Sequence, residues 1–223
     1  MNRKSKVGFI TAACLLTTFV LWTLIVSFLN VQQIGPRGSS VGLAGINAWV
    51  HNLTGVNFDL YNITDWLGLV PVAVGFGFAI LGLVQWFVRK NIANVDASIL
   101  ILGGFYIITL AAYLFFEYVV INYRPVLING YLEASYPSST TLLVLCVMPT
   151  AIMQLHDRIK STVFRRCVEA VMCAFIGFMV IGRLISGVHW VTDIVGGILL
   201  SGGLVALYYA LVKWRADNKR AMH

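Results

Sequence analysis

Six long apolar runs, separated by short polar or basic segments, set the pattern of the chain. The first extends from Val7 to about Phe28, behind Arg3, Lys4 and Lys6. A helix rises about 1.5 Å per residue, so a run of this length crosses the hydrocarbon of a bilayer. A cleaved signal sequence also places basic residues before an apolar stretch, but this run is too long and no small-x-small cleavage site follows. The other runs predict spans over about 67–88, 98–121, 138–155, 167–182 and 194–214, with Pro149 placed to kink the fourth of the six. Residues 29–65 are more polar, and Gly35-Pro36-Arg37-Gly38-Ser39-Ser40 reads as a loop. Within this stretch Leu43, Ile46, Trp49 and Val50 recur at helical spacing, which predicts a short interfacial helix over Val41–Val50 in the first outer loop. The pattern thus predicts an all-α polytopic membrane protein with six transmembrane helices, a single membrane-embedded domain over residues 1–223.

Composition strengthens that reading: 59% of the residues are apolar and 11% charged, with a mean hydropathy of +0.83, far from soluble usage. The net charge of +7 raises the question of nucleic acid. The basic residues answer it, because they stand in short clusters between the apolar runs rather than in one stripe. Arg3, Lys4, Lys6, Arg89, Lys90, Arg158, Lys160, Arg165, Arg166, Lys213, Arg215, Lys219 and Arg220 all fall on the side of the termini, and only Arg37, Arg124 and Arg183 fall opposite. Positive charge stays inside, so both termini are expected in the cytoplasm, and a bacterial cytoplasmic membrane is the expected location. Cys14, Cys146, Cys167 and Cys173 show no paired spacing of the kind that holds zinc or builds a disulfide framework.

The exceptional arginines mark the chemistry. Arg183, His189 and Asp193 lie between the fifth and sixth runs, where ionisable groups are costly. His189 and Asp193 are four residues apart, so on a helix they share a face and the carboxylate accepts the Nδ1 proton, which leaves Nε2 free. An imidazole held in this way suits a general base, a metal ligand or a nucleophile. A plain helix end, with Arg183 snorkelling and the His–Asp pair satisfying itself, is the structural alternative. Arg124 ends the third span, Ser138 begins the fourth, Arg183 ends the fifth and His189 begins the sixth, so four span ends converge on one outer-face site. Pro137-Ser138-Ser139-Thr140-Thr141 adds hydroxyls and free N–H groups at a helix start, where anions are favoured. A tetrahedral phosphate suits this set, with in-line attack by the histidine and both arginines offsetting charge. One histidine and one aspartate fall short of a ligand set, so neither metal nor cofactor is expected. His51, in the first outer loop, reads as an exposed or capping residue.

These residues resemble the type 2 phosphatidic acid phosphatase superfamily of integral-membrane lipid phosphatases, whose pattern is Lys-x6-Arg-Pro, then Pro-Ser-Gly-His, then Ser-Arg-x5-His-x3-Asp. The third block is matched at its charged positions by Arg183, His189 and Asp193, the first ends on Arg124-Pro125, and the second begins with Pro137-Ser138. The resemblance implies that His189 is the nucleophile, Asp193 its orienting carboxylate, and Arg124, Arg183 and Ser138 phosphate ligands, with Ser139 and Thr140 beside them. Two positions depart from the pattern: Glu117 stands for the lysine and Thr140 for the histidine that protonates the leaving oxygen. An alcohol is too weak an acid for that task, and a general acid typically contributes about 10² to 10⁴ in rate. A leaving group that is itself a phosphate departs without one. A polyprenyl diphosphate such as undecaprenyl diphosphate is therefore expected over phosphatidic acid or phosphatidylglycerol phosphate. A protonated Glu117 is a candidate replacement acid, two helical turns before Arg124; the competing reading pairs it with Arg124 or a neighbouring span. The alternative function is a catalytically weakened protein that binds or moves a phospholipid or prenyl phosphate.

Overall fold

A computed structural model describes residues 3–221. Its helices are α1 (Arg3–Phe28), α2 (Ala44–Thr54), α3 (Phe58–Leu67), α4 (Leu69–Arg89), α5 (Ala97–Tyr118), α6 (Ser139–Arg158), α7 (Thr162–Ile185) and α8 (Val191–Ala221). Six stretches are long and apolar enough to span a membrane, and the second joins α3 and α4 over Phe58–Arg89. That span starts nine residues earlier than the expected 67, because the Asn57 side chain accepts from Leu60 N at 2.9 Å and caps a helix there. Gly68 separates the two pieces. The short helix between the first two spans covers Ala44–Thr54, a few residues beyond the expected 41–50. Val41 is held in a backbone bridge to Gln32, which delays the first helical residue to Ala44. Helix α6 continues through Pro149.

The bundle is built around α8, which packs against α1, α5 and α6. Small residues allow the close approach on which membrane helices depend. A Cβ on Gly203 would stand 2.7 Å from Leu16, and one on Gly8 would stand 2.9 Å from Ala210 Cβ. Phe19, Tyr136, Leu142, Leu200, Leu204 and Tyr208 form the middle of the core. Helices α4 and α5 stand farther out and flank an open apolar cavity of about 810 Å³, lined by Pro71, Phe78, Leu102, Tyr106 and Leu143.

Between α5 and α6 the chain makes a short antiparallel ladder that carries two site residues. Arg124 N donates to Glu133 O at 3.1 Å and Ser135 N to Asn122 O at 2.9 Å. Asn129 and Gly130, both at positive φ (50° and 82°), turn the hairpin as an Asn-Gly pair does. Arg37 Nη2 donates to Gly130 O at 2.9 Å and ties the segment between α1 and α2 to the hairpin.

Candidate active site

Arg183 occupies the last turn of α7 and is fully buried. The chain then reverses through Gly187 at φ +66°, where a Cβ would lie 1.7 Å from Gly55 O. Only glycine fits both that conformation and that contact. His189 follows, and α8 starts at Val191. The start of α8 is secured by Asp193 Oδ2, which accepts from Trp190 N at 2.9 Å, a carboxylate in the first turn reaching back to the preceding N–H.

Arg183 Nη2 stands 3.3 Å from His189 Nε2. Arginine has no acceptor, so Nε2 carries the lone pair and the ring proton sits on Nδ1. From Nδ1 the direct distance to Asp193 Oδ2 is 3.8 Å, too long for a hydrogen bond. Ser135 fills the gap: its Oγ lies 3.1 Å from His189 Nδ1 and donates to Asp193 Oδ2 in a short contact. The expected direct bond between histidine and aspartate is thus replaced by a chain from Nδ1–H through the Ser135 hydroxyl to the carboxylate. The physical reason is that His189 precedes the helix, so the helical four-residue spacing does not apply to it. Asn122 Nδ2 supports the other carboxylate oxygen at 3.4 Å, and its Oδ1 accepts from Gly42 N at 3.3 Å. Burial, followed by the charges of Arg124 and Arg183, holds the His189 pKa well below its ordinary value, so the ring is neutral.

Tyr61 packs against both arginines, with the Cζ atoms of Arg124 and Arg183 at 5.8 and 4.9 Å from its ring centroid. Each has one carboxylate nearby: Glu133 Oε2 at 3.1 Å from Arg124 Nε, and Asp65 Oδ1 at 3.5 Å from Arg183 Nη1. Thr64 Oγ1 also accepts from Arg183 Nη1 at 3.4 Å. Even so, Arg124 Nε, Arg124 Nη1 and Arg183 Nε are buried without a hydrogen-bond acceptor; Glu133 is close to Nε but off the N–H direction. A buried charged donor left unpaired costs more than about 1–3 kcal/mol, and two adjacent guanidinium groups in that state call for an anion.

Ser138 precedes the first helical residue of α6, with its N–H on Asp193 O at 3.1 Å and its Oγ accepting from Thr141 Oγ1 at 3.0 Å. Thr140 is buried and faces the break at Gly68, whose added Cβ would meet Thr140 Cγ2 at 3.6 Å. Ser139 shares a small cleft with Glu117, Tyr113 and Ser135. Glu117 is exposed and stands with Tyr113 in that cleft, and the ion pair it was expected to make with Arg124 is taken by Glu133 instead. His51 is half-buried, with its ring 5.5 Å from Trp190, and burial lowers its pKa. It therefore lies against the site rather than out in solvent. Sequence reasoning missed Ser135, Asn122, Tyr61 and Asp65. Ser135 and Asn122 carried a signal, since they stand two residues from Pro137 and Arg124, but α3 gave none without its fold.

The family described as the PAP2 superfamily matches residues 109–217, which takes in α5 from Thr109 and the whole set from Glu117 to Asp193. No curated protein matches the sequence. Among solved structures, the crystal structure of a transmembrane PAP2 type phosphatidylglycerolphosphate phosphatase from Bacillus subtilis shares the fold, with a TM-score of 0.50 over 94% of this chain and 96% of that one at 17% identity.

Proposed function

We propose that this chain, a member of the PAP2 superfamily, removes the terminal phosphate of a polyprenyl diphosphate at the outer face of the membrane through a phosphohistidine at His189. Membrane lipid phosphatase is the class that family and fold support; the substrate is read from the site. The observation that carries it is the set of three buried arginine N–H donors without acceptors, on the two guanidinium groups gathered at an unprotonated Nε2.

A terminal phosphate between Arg124 and Arg183 gives those donors their acceptors and brings phosphorus to Nε2. The nitrogen attacks in line, the P–O bond to the leaving group breaks, and the charge on the equatorial oxygens is met by both arginines. The proton on Nδ1 stays within the chain to Ser135 and Asp193. Water then cleaves the P–N bond and returns free His189 and inorganic phosphate. Thr140 cannot protonate a departing alkoxide, which favours a phosphate leaving group over the glycerol oxygen of phosphatidic acid. Glu117, in the cleft behind Ser135, is the remaining acid candidate; turnover and pH profile unchanged in Glu117→Gln would remove it from the reaction. The apolar cavity between α4 and α5 reaches α6 at Leu143, one turn below Thr140, and supports a long hydrocarbon chain on the substrate.

Phosphate release from undecaprenyl diphosphate, compared with phosphatidic acid and phosphatidylglycerol phosphate and with a His189→Ala control, tests the reading. Release that requires His189 and is fastest from the diphosphate is expected. Equal or faster turnover of the monoesters rejects the diphosphate assignment. Glu117 and Thr140, standing where the family pattern has lysine and histidine, favour one second reading, a lipid-phosphate-binding protein without turnover. Binding without release from any substrate would establish it.

A further inference from the structure

At the end of the bundle opposite His189, helices α1, α6 and α8 line a second cavity of about 700 Å³ that is open along one side. Its walls include Leu15, Met153, Val205 and Tyr209, and Arg3 and Lys4 stand at its mouth. Neither cation is paired with a carboxylate among the described residues. A third cation is close, since Lys213 Nζ lies 5.5 Å from the ring centroid of Tyr209. The cavity is a fixed feature of the helix seam, because α1 and α8 are already in contact beside it at Gly8 and Ala210 and cannot close farther.

We propose that this cavity is a binding site for one anionic phospholipid of the bilayer, its headgroup at Arg3 and Lys4 and an acyl chain along the seam between α1 and α8. An apolar slot below unpaired cations at a helix end matches an amphiphile with a negative head. A symmetric second copy of the chain is a poorer occupant, because a two-fold contact would set Arg3 and Lys4 of one copy against the same residues of the other. The bound lipid would clasp α1 to α8. The other end of that pair holds Trp22 Nε1 on Thr192 O at 3.2 Å, next to Asp193.

The test uses the full chain purified in detergent and supplied with phosphatidylglycerol or phosphatidylcholine, with bound lipid counted by native mass spectrometry. Phosphatidylglycerol has a phosphodiester headgroup and no terminal phosphate, so the proposed hydrolysis does not consume it. A basic residue beside an anionic lipid contributes about 1 kcal/mol, about fivefold in affinity. Retention of phosphatidylglycerol at least fivefold above phosphatidylcholine is expected. That preference should vanish in Arg3→Gln/Lys4→Gln, and in Ala206→Phe, which fills the slot, retention of both lipids should fall. Equal retention of the two lipids overturns the proposal, as does a preference that survives the charge substitutions, or a dimer mass in place of bound lipid. If Ala206→Phe does not fold, the charge variant decides alone.

Discussion

With 3.8 Å between His189 Nδ1 and Asp193 Oδ2, the carboxylate acts on the imidazole through the Ser135 hydroxyl. Ser135→Ala leaves a buried N–H and a carboxylate oxygen each one partner short. Hydrogen bonds to charged groups contribute about 1.5–3 kcal/mol, so kcat should fall about 10- to 100-fold with KM little changed. Ser135→Thr, which keeps the hydroxyl, should recover part of the loss. The decisive measurement is a cycle with Asp193→Asn: in that background Ser135→Ala should cost much less, and additive losses would show that the two do not act in series. The pH profile probes the same ring. His189 is held below its ordinary value of 6.5 by burial first, then by Arg124 and Arg183. Its folded value lies below its unfolded one, so the stabilising contribution of the neutral ring is present above about pH 6.5 and is lost as pH falls. The acid limb of kcat/KM should therefore lie below pH 6.5, and Arg124→Gln, by removing a positive charge, should move it upward. A limb at the ordinary value in both proteins would contradict the burial and charge effects. Arg124, Arg183, His189 and Asp193 were legible in the sequence because ionisable groups at the ends of apolar runs are conspicuous. Ser135 was not, because a serine in a polar loop is ordinary until the ladder between α5 and α6 carries it to His189.

Among the elements, the turn between α7 and α8 and the junction of α2 with α3 depend on each other. Gly187 and Gly55 meet backbone to backbone, and Asn57 N donates to Ser186 O at 3.0 Å. Gly187→Ala forces a Cβ into Gly55 O at a left-handed φ, for which the conformation alone costs about 1–2 kcal/mol. The variant should melt lower and lose most of its turnover, since His189 is two residues away. Normal activity would mean that the junction yields freely. The expected spans lie on the observed ones because apolar length is a strong signal, and the differences fall at the ends, where caps decide. Asn57 starts α3 early, and Ser161, accepting from Phe164 N at 3.4 Å, starts α7 five residues before the expected 167. The contribution of α3 was illegible for a different reason. Tyr61, Thr64 and Asp65 look like the polar edge of a span, and only the packing of α3 on α7, where a Cβ on Gly182 would stand 2.9 Å from Thr64, turns that edge toward Arg183.

For the molecule as a whole, charge placement and helix parity make one joint prediction about orientation. Arg89, Arg158 and Arg165 lie at the same end of the bundle as the start of α1 and the end of α8, and Asp96 joins two of them, at 2.9 Å to Arg89 and 3.5 Å to Arg158. His189, the hairpin turn at Gly130 and helix α2 lie at the other end. If positive charge stays in the cytoplasm, the site opens outward and lipid phosphates are cleaved in the outer leaflet. Two single cysteines in a chain cleared of Cys14, Cys146, Cys167 and Cys173 separate the alternatives. Tyr131→Cys lies at the hairpin, where the side chain is 73% exposed, and Lys160→Cys lies in the connector between α6 and α7. In intact cells a membrane-impermeant maleimide should label the first and spare the second until the membrane is opened. The reverse pattern would place the site in the cytoplasm, and the lipid supply of the proposed reaction would then have to come from the inner leaflet. Labelling of both in sealed cells would contradict the six-span topology itself.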